Sequence, residues 1–159
     1  MKTIERHRYK DQKIIETRSL TFDPYRYSEH NMCLVMGLIR RNLSADLLTP
    51  KYREENVTNP TYGHCYHSTQ ALYYLMDTND LVPMSGKDYR NEYHWWLQNG
   101  TKIYDVTDDQ YYCVGKLPPY ETGKKSSWYG WRGRPHMRTL DLMIRVLGED
   151  NVTDEKLSH

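Results

Sequence analysis

The chain has 159 residues, a size suited to one domain that buries a core without help from disulfides or metal. Its 22 lysines and arginines balance 21 acidic residues to leave +1, which excludes global charge attraction to nucleic acid or a membrane surface. Hydrophobic content is only 38%, but 15 Tyr and 4 Trp add large amphipathic surfaces that set the chain apart from disordered sequences.

Three cysteines, at 33, 65 and 113, show no paired spacing of the kind a disulfide framework or zinc ribbon requires, so a reducing compartment is expected. The first residues are charged and lack an apolar signal core, and no run of about 18 apolar residues occurs. These features predict a soluble, cytoplasmic protein with no membrane contact, folded as a single domain over 1–159.

Residues 13–22 read as a strand ended by Asp23-Pro24. Ser28 is placed to cap a helix to about Leu43, with Met32, Val35, Met36, Ile39 and Leu43 along one stripe and Cys33 on its flank as a small buried hydrophobe. Residues 51–60 read as a polar loop leading to a second helix at about 65–77. Pro118-Pro119 and 121–134 read as a long connection. Pro135 suits the first position of a C-terminal helix with Leu140, Met143, Ile144 and Leu147 on its apolar face. Gly148 is the expected stop, and 149–159 a frayed tail.

Between the second helix and that connection, Asn99-Gly100 separates two runs of strand formers, 93–98 and 101–106, and predicts a two-residue type I′ hairpin. Counting outward pairs Gln98 with Thr101, Trp96 with Ile103 and His94 with Asp105, which sets a carboxylate beside an imidazole. Upstream, Gly63 permits a tight entry into a helix whose first turn carries Cys65. Unpaired backbone amides and the positive end of the helix dipole there favour a thiolate and can bind an oxyanion. Cysteine, histidine and aspartate thus occur in an order and setting that suit a nucleophile, a base and an orienting acid.

Gly63-His64-Cys65-Tyr66-His67-Ser68-Thr69 resembles the Gly-x-Cys-Trp/Tyr segment that opens the central helix of papain-like and transglutaminase-like thiol enzymes. His94-Trp95-Trp96 and Asp105-Val106-Thr107 resemble the His-x-Trp and Asp-Pro-Thr strands of transglutaminase-like proteins, with Val106 in place of the proline. The resemblance covers about residues 59–110. A weaker resemblance is to small bacterial and phage proteins with a Gly-His-Cys-Tyr start, a His-Trp strand and an Asp-x-Thr-x-Asp-Gln segment. The resemblance to the thiol enzymes implies an α+β fold in which the Cys65 helix packs on an antiparallel sheet, with Cys65 as nucleophile, His94 as base and Asp105 as orienting acid. Asn59, six residues before Cys65, stands where papain-like enzymes place an oxyanion-binding glutamine, and could equally cap the turn before Pro60.

His64, Cys65 and His67 crowd together, but no second close pair completes a tetrahedral metal site, so neither metal nor another cofactor is expected. His64, His67 and Trp96 are placed near the cleft as substrate contacts. Residues 124–138 carry five cations and no acid, with Trp128, Tyr129 and Trp131 among them. Arg132 and Arg134, with Trp128 or Trp131, are the expected contacts to an anionic group, since guanidinium forks bind oxyanions and rings stack on bases. The functional expectation is a cysteine hydrolase or acyltransferase acting on an amide, ester or thioester, with an anionic or nucleotide-linked substrate as one option. The rival expectation is a non-catalytic binding or inhibitor protein that grips a nucleotide, nucleic acid or protein partner through 124–138.

Overall fold

The computed structural model describes residues 1–129 and 135–157, with 151–157 by backbone alone. Trp131, Arg132 and Arg134, which the sequence assigns to anion binding, lie outside the described residues. The protein is α+β, with helices packed on antiparallel sheet. No helix among the described residues is long and apolar enough to cross a membrane.

The chain opens with an antiparallel ribbon, β1 (Lys2–Lys10) and β2 (Lys13–Phe22), in which Lys2 pairs with Phe22 and Arg6 with Arg18. Asp11 and Gln12 turn the ribbon with φ of 51° and 66°, a left-handed pair that matches the twist of a tight hairpin. The second strand is where the sequence places it, while β1 is not anticipated. β3 (Tyr25–Arg26) then pairs in parallel with β4 (Met76–Asp77), tying the ribbon's exit to the end of the central helix.

Helix α1 (Glu29–Arg41) is capped by the Ser28 hydroxyl, which accepts from the Asn31 amide at 3.0 Å. Met32, Val35, Leu38 and Ile39 form its buried face, and Met36 and Leu43 are half-buried. Cys33 is exposed rather than buried, because it projects from the face opposite that stripe. Of residues 51–60, expected to be loop, 51–56 belong instead to α2 (Pro50–Asn56), with Pro50 fixing the first helical φ.

Helix α3 (Cys65–Leu75) is the centre of the molecule, and Ala71, Leu72 and Leu75 join the core formed with α1 and α5 (Met137–Leu157). Its other side lies on a four-stranded antiparallel sheet in the order β7 (Lys102–Tyr104), β6 (Tyr93–Asn99), β5 (Val82–Lys87) and β8 (Lys124–Lys125). Thr69 Oγ1 donates to the Trp95 carbonyl at 3.1 Å, joining helix to central strand. The short helix α4 (Asp109–Tyr112) follows the hairpin. α5 begins two residues after Pro135 and runs through Gly148 to Leu157, so Gly148 does not stop it and the expected frayed tail is helical up to Leu157.

The hairpin register differs from the sequence expectation by two residues. Asn99 pairs with Lys102, Gln98 with Ile103 and Leu97 with Tyr104. Gly100, at φ +60°, takes the first central turn position, as a type II′ turn requires, and Asn99 stays in the strand with its Nδ2 donating to Tyr27 Oη at 2.9 Å. A shift of two preserves the faces, whereas a shift of one would reverse them. His94 and Asp105 are therefore diagonal rather than directly opposed, yet still share a face.

Gly123 sits where a methyl group would meet fully buried Trp96 at 2.4 and 2.8 Å and the Tyr120 carbonyl at 3.0 Å. Gly123→Ala should destabilise by about 2 kcal/mol through overpacking, lowering the thermal midpoint by about 4–8 °C. Gly148→Ala, in an exposed helical position with nothing within 4 Å, should stabilise by about 0.5–1 kcal/mol. Thermal melts followed by circular dichroism check both signs.

Candidate active site

Cys65 owes its position to the turn before it. Gly63 has φ +85°, and an added Cβ would lie 3.0 Å from Leu48 Cδ2 and Tyr52 Cβ, so only glycine fits between the entry loop and these side chains. The chain then turns into α3 with Cys65 as its first residue, where the opening amides have no intrahelical acceptor. Cys65 is half-buried, with Sγ 3.7 Å from the Tyr93 carbonyl.

Tyr93 hands the chain to His94, which is fully buried in β6. His94 Nε2 lies 2.6 Å from Asp105 Oδ2, and Asp105 is itself buried where β7 ends. The carboxylate is held from three directions. Oδ2 also accepts from Tyr120 Oη at 2.8 Å, Oδ1 accepts from the Thr107 amide at 3.2 Å, and Arg40 Nε fixes the following turn through the Val106 carbonyl at 2.8 Å. Around the imidazole, Trp96 stacks at 5.7 Å and Tyr111 meets it edge-on at 4.8 Å.

Burial works against a charged imidazole here, but the charge and hydrogen bond of Asp105, with a smaller contribution from Cys65, overcome it and push His94 up to about 10. With Nε2 given to Asp105, Nδ1 is the nitrogen left to serve Cys65. Gln110 Nε2 lies 3.3 Å from Nδ1 and 2.9 Å from Thr107 Oγ1, and the orientation of this carboxamide decides whether it donates to neutral Nδ1 or accepts from Nδ1–H. The burial of the Tyr120 phenol and the adjacent Asp105 charge keep it protonated, so it remains a donor to the carboxylate.

A cavity of about 360 Å³ opens beside Cys65, walled by Tyr62, Glu92, Tyr93, Trp95, Gln110 and Tyr129 among others. His67 reaches it, but His64 does not. His64 is fully buried, its Nδ1 2.8 Å from His67 Nε2, so the pair is an internal bridge and not an entrance. Burial holds His67 well below the ordinary histidine value and His64 down to about 4, leaving both neutral. No group of three or more His, Cys, Asp or Glu side chains among the described residues is arranged to hold a metal.

Trp96, expected to touch substrate, is buried behind His94 and packs against Tyr120. Its neighbour Trp95 lines the cavity instead, because the two alternate across β6. Trp128 stacks on Trp95 at 5.4 Å and packs on the core, so it buttresses the wall, while exposed Tyr129 stacks on Tyr66 at 5.2 Å and faces the cavity. Asn59 is buried outside the cavity with Nδ2 donating to the Gln110 carbonyl at 2.8 Å. It anchors α4, and the carboxamide that lines the cavity beside Cys65 is that of Gln110. Gln110 closes the segment Asp105-x-Thr107-x-Asp109-Gln110, the one sequence signal that could have singled it out. Comparison with protein-family models, curated proteins and solved structures gives no match.

His94 is raised by folding, so its stabilising contribution is complete below about pH 6.5 and is lost as pH rises toward about 10. Asp105→Asn should remove it, leaving burial to favour the neutral ring. Urea unfolding at pH 6.5, 8 and 10 should show the wild-type advantage over Asp105→Asn greatest at pH 6.5 and smallest at pH 10. An advantage that grows with pH would contradict this electrostatic account.

Proposed function

We propose that this protein is a thiol enzyme with a papain-like or transglutaminase-like core, acting on an amide, ester or thioester through Cys65, His94 and Asp105. The observation that carries the reading is the buried 2.6 Å contact from His94 Nε2 to Asp105 Oδ2, which leaves Nδ1 as the ring nitrogen free to act on the cysteine at the start of α3. A histidine that was only a packing residue would not need a buried carboxylate, itself held by Tyr120 and the Thr107 amide.

In this mechanism the Cys65 proton already rests on Nδ1 of the charged ring, and the thiolate attacks the carbonyl carbon, forming the C–S bond while the π electrons move to oxygen. The first amides of α3, joined by the Gln110 carboxamide, stabilise that oxyanion. Collapse breaks the bond to the leaving amine, alcohol or thiol, which receives the proton from Nδ1. Water or an acceptor amine, deprotonated by the same nitrogen, then attacks the thioester and returns Cys65 to its starting state. Asp105 holds the ring and offsets its charge throughout.

Exposure and activation rank the three thiols oppositely. Cys33 and Cys113 are exposed and Cys65 is half-buried. With a limiting dose of iodoacetamide at about pH 6, mass spectrometry should find Cys65 alkylated about tenfold ahead of the other two, and His94→Ala should abolish that lead. Labelling of Cys33 and Cys113 first would favour a protein that binds in the same cleft without catalysis. Its basis would then be the aromatic wall of Tyr66, Trp95 and Tyr129.

A further inference from the structure

The cavity beside Cys65 is polarised. One wall carries Asp88 and Glu92, but both are engaged. Asp88 accepts from Tyr111 Oη at 2.8 Å and from the Arg90 and Glu92 amides at 2.8 and 3.0 Å, while Glu92 takes the Tyr62 hydroxyl at 3.1 Å on each oxygen. The far end, where α5 begins, is built differently. His136, just before the helix, and half-buried Arg138, in its first turn, both line the cavity.

No carboxylate among the described residues pairs with Arg138. Asp141, one turn further along α5, is bound to Arg18 at 2.6 Å. The stretch 124–138, which includes the residues next to His136 in sequence, contains no Asp or Glu. Burial first, then the charges of Arg138 and of Arg6 on β1, push the His136 imidazole down, against a smaller opposing pull from Asp141. Arg6 stands opposite Arg18 in the ribbon, the arginine that already takes Asp141. Asp141, the one acid acting on this end, is held by Arg18, so half-buried Arg138 loses water without gaining a counter-charge among the described residues. Opening onto a cavity, such a guanidinium is matched by an anion, for which the arginine fork gives two parallel hydrogen bonds.

We infer that the Arg138–His136 end of the cleft is an anion subsite, so that the substrate processed at Cys65 carries a carboxylate or phosphate on the part lying toward α5. This rests on the thiol-enzyme reading for the word substrate; the subsite itself rests only on the geometry of this end of the cavity. Arg138 is a specificity residue and takes no part in the bond changes. It replaces Arg132 and Arg134 as the arginine whose position in the cleft can be named.

Iodoacetate and iodoacetamide are similar in size and differ in charge, so the ratio of their alkylation rates at one cysteine reads the local preference for an anion. Measured by mass spectrometry on the full chain, that ratio should be at least about fivefold higher at Cys65 than at Cys33 or Cys113. In Arg138→Gln it should fall at least about threefold, with the iodoacetamide rate little changed. Attraction by the His94 imidazolium survives in that variant, so the fall isolates Arg138. On the wild-type protein, millimolar succinate or inorganic phosphate should slow the iodoacetate reaction. Protection by succinate alone assigns a carboxylate, and protection by phosphate alone a phosphate. An equal ratio at all three cysteines, an unchanged ratio in folded Arg138→Gln, or protection by neither anion overturns the subsite. Should iodoacetamide fail to favour Cys65, the thiol-enzyme reading falls while the rate ratio still decides the subsite.

Discussion

The buried hydrogen bond between His94 and Asp105 is the constraint to which the surrounding structure answers. A carboxylate in the interior is costly unless its lone pairs are occupied, and here the imidazole, a phenol and a backbone amide occupy them. Each partner comes from a different segment. β6 supplies the imidazole, the turn after β7 supplies the amide, and the 3₁₀ turn at Tyr120–Thr122 supplies the phenol. The close approach of Gly123 to Trp96 lets that last segment lie flat enough on the sheet for Tyr120 to reach Asp105.

From this pair the arrangement extends outward. The ring is clamped between Trp96 and Tyr111, and Tyr111 is tied through its hydroxyl to Asp88, so the imidazole, the α4 segment and the β5–β6 connection hold one another in place. Asn59 reaches across to the Gln110 carbonyl and locks α4 to the loop that delivers Cys65. The thiol and the imidazole thus sit on two rigid elements, α3 and β6, joined by the Thr69–Trp95 hydrogen bond. The cleft that results has engaged acids on one wall and, at its far end, Arg138 with no carboxylate partner among the described residues, the polarity on which the proposed anion subsite rests.

Much of this was legible in the sequence, and the reasons are local. Gly63 before Cys65, the helical spacing after it and the Asn99-Gly100 pair between two strand-forming runs are signals that depend on a few adjacent residues. The register was not legible, because Tyr27, 72 positions away, holds Asn99 in the strand and passes the turn to Gly100 and Thr101. The error was harmless to the site only because the slip was even. β5 is hidden by Pro83 and Gly86, residues that argue against a strand, and β1 by its run of charged residues, Ile4 being the strand's one buried side chain. Gln110 escaped notice because its importance comes from where α4 packs and not from any spacing. Proximity in sequence places Trp96 and His64 near the cleft, but the alternation of β6 and the interior side of the α3 entry turn send them inward.

The central claim is that Asp105 fixes His94 so that Nδ1 alone exchanges a proton with Cys65. Nitrogen-15 NMR of the histidine rings, with His94 assigned by His94→Gln, tests it most directly. The account predicts that Nε2 stays protonated across the titration, bound to Asp105, and that Nδ1 is the nitrogen that loses its proton, near the value of about 10 to which the ring is raised. A neutral ring at pH 7, or a titration in which Nε2 gives up the proton while Nδ1 keeps it, would contradict the account.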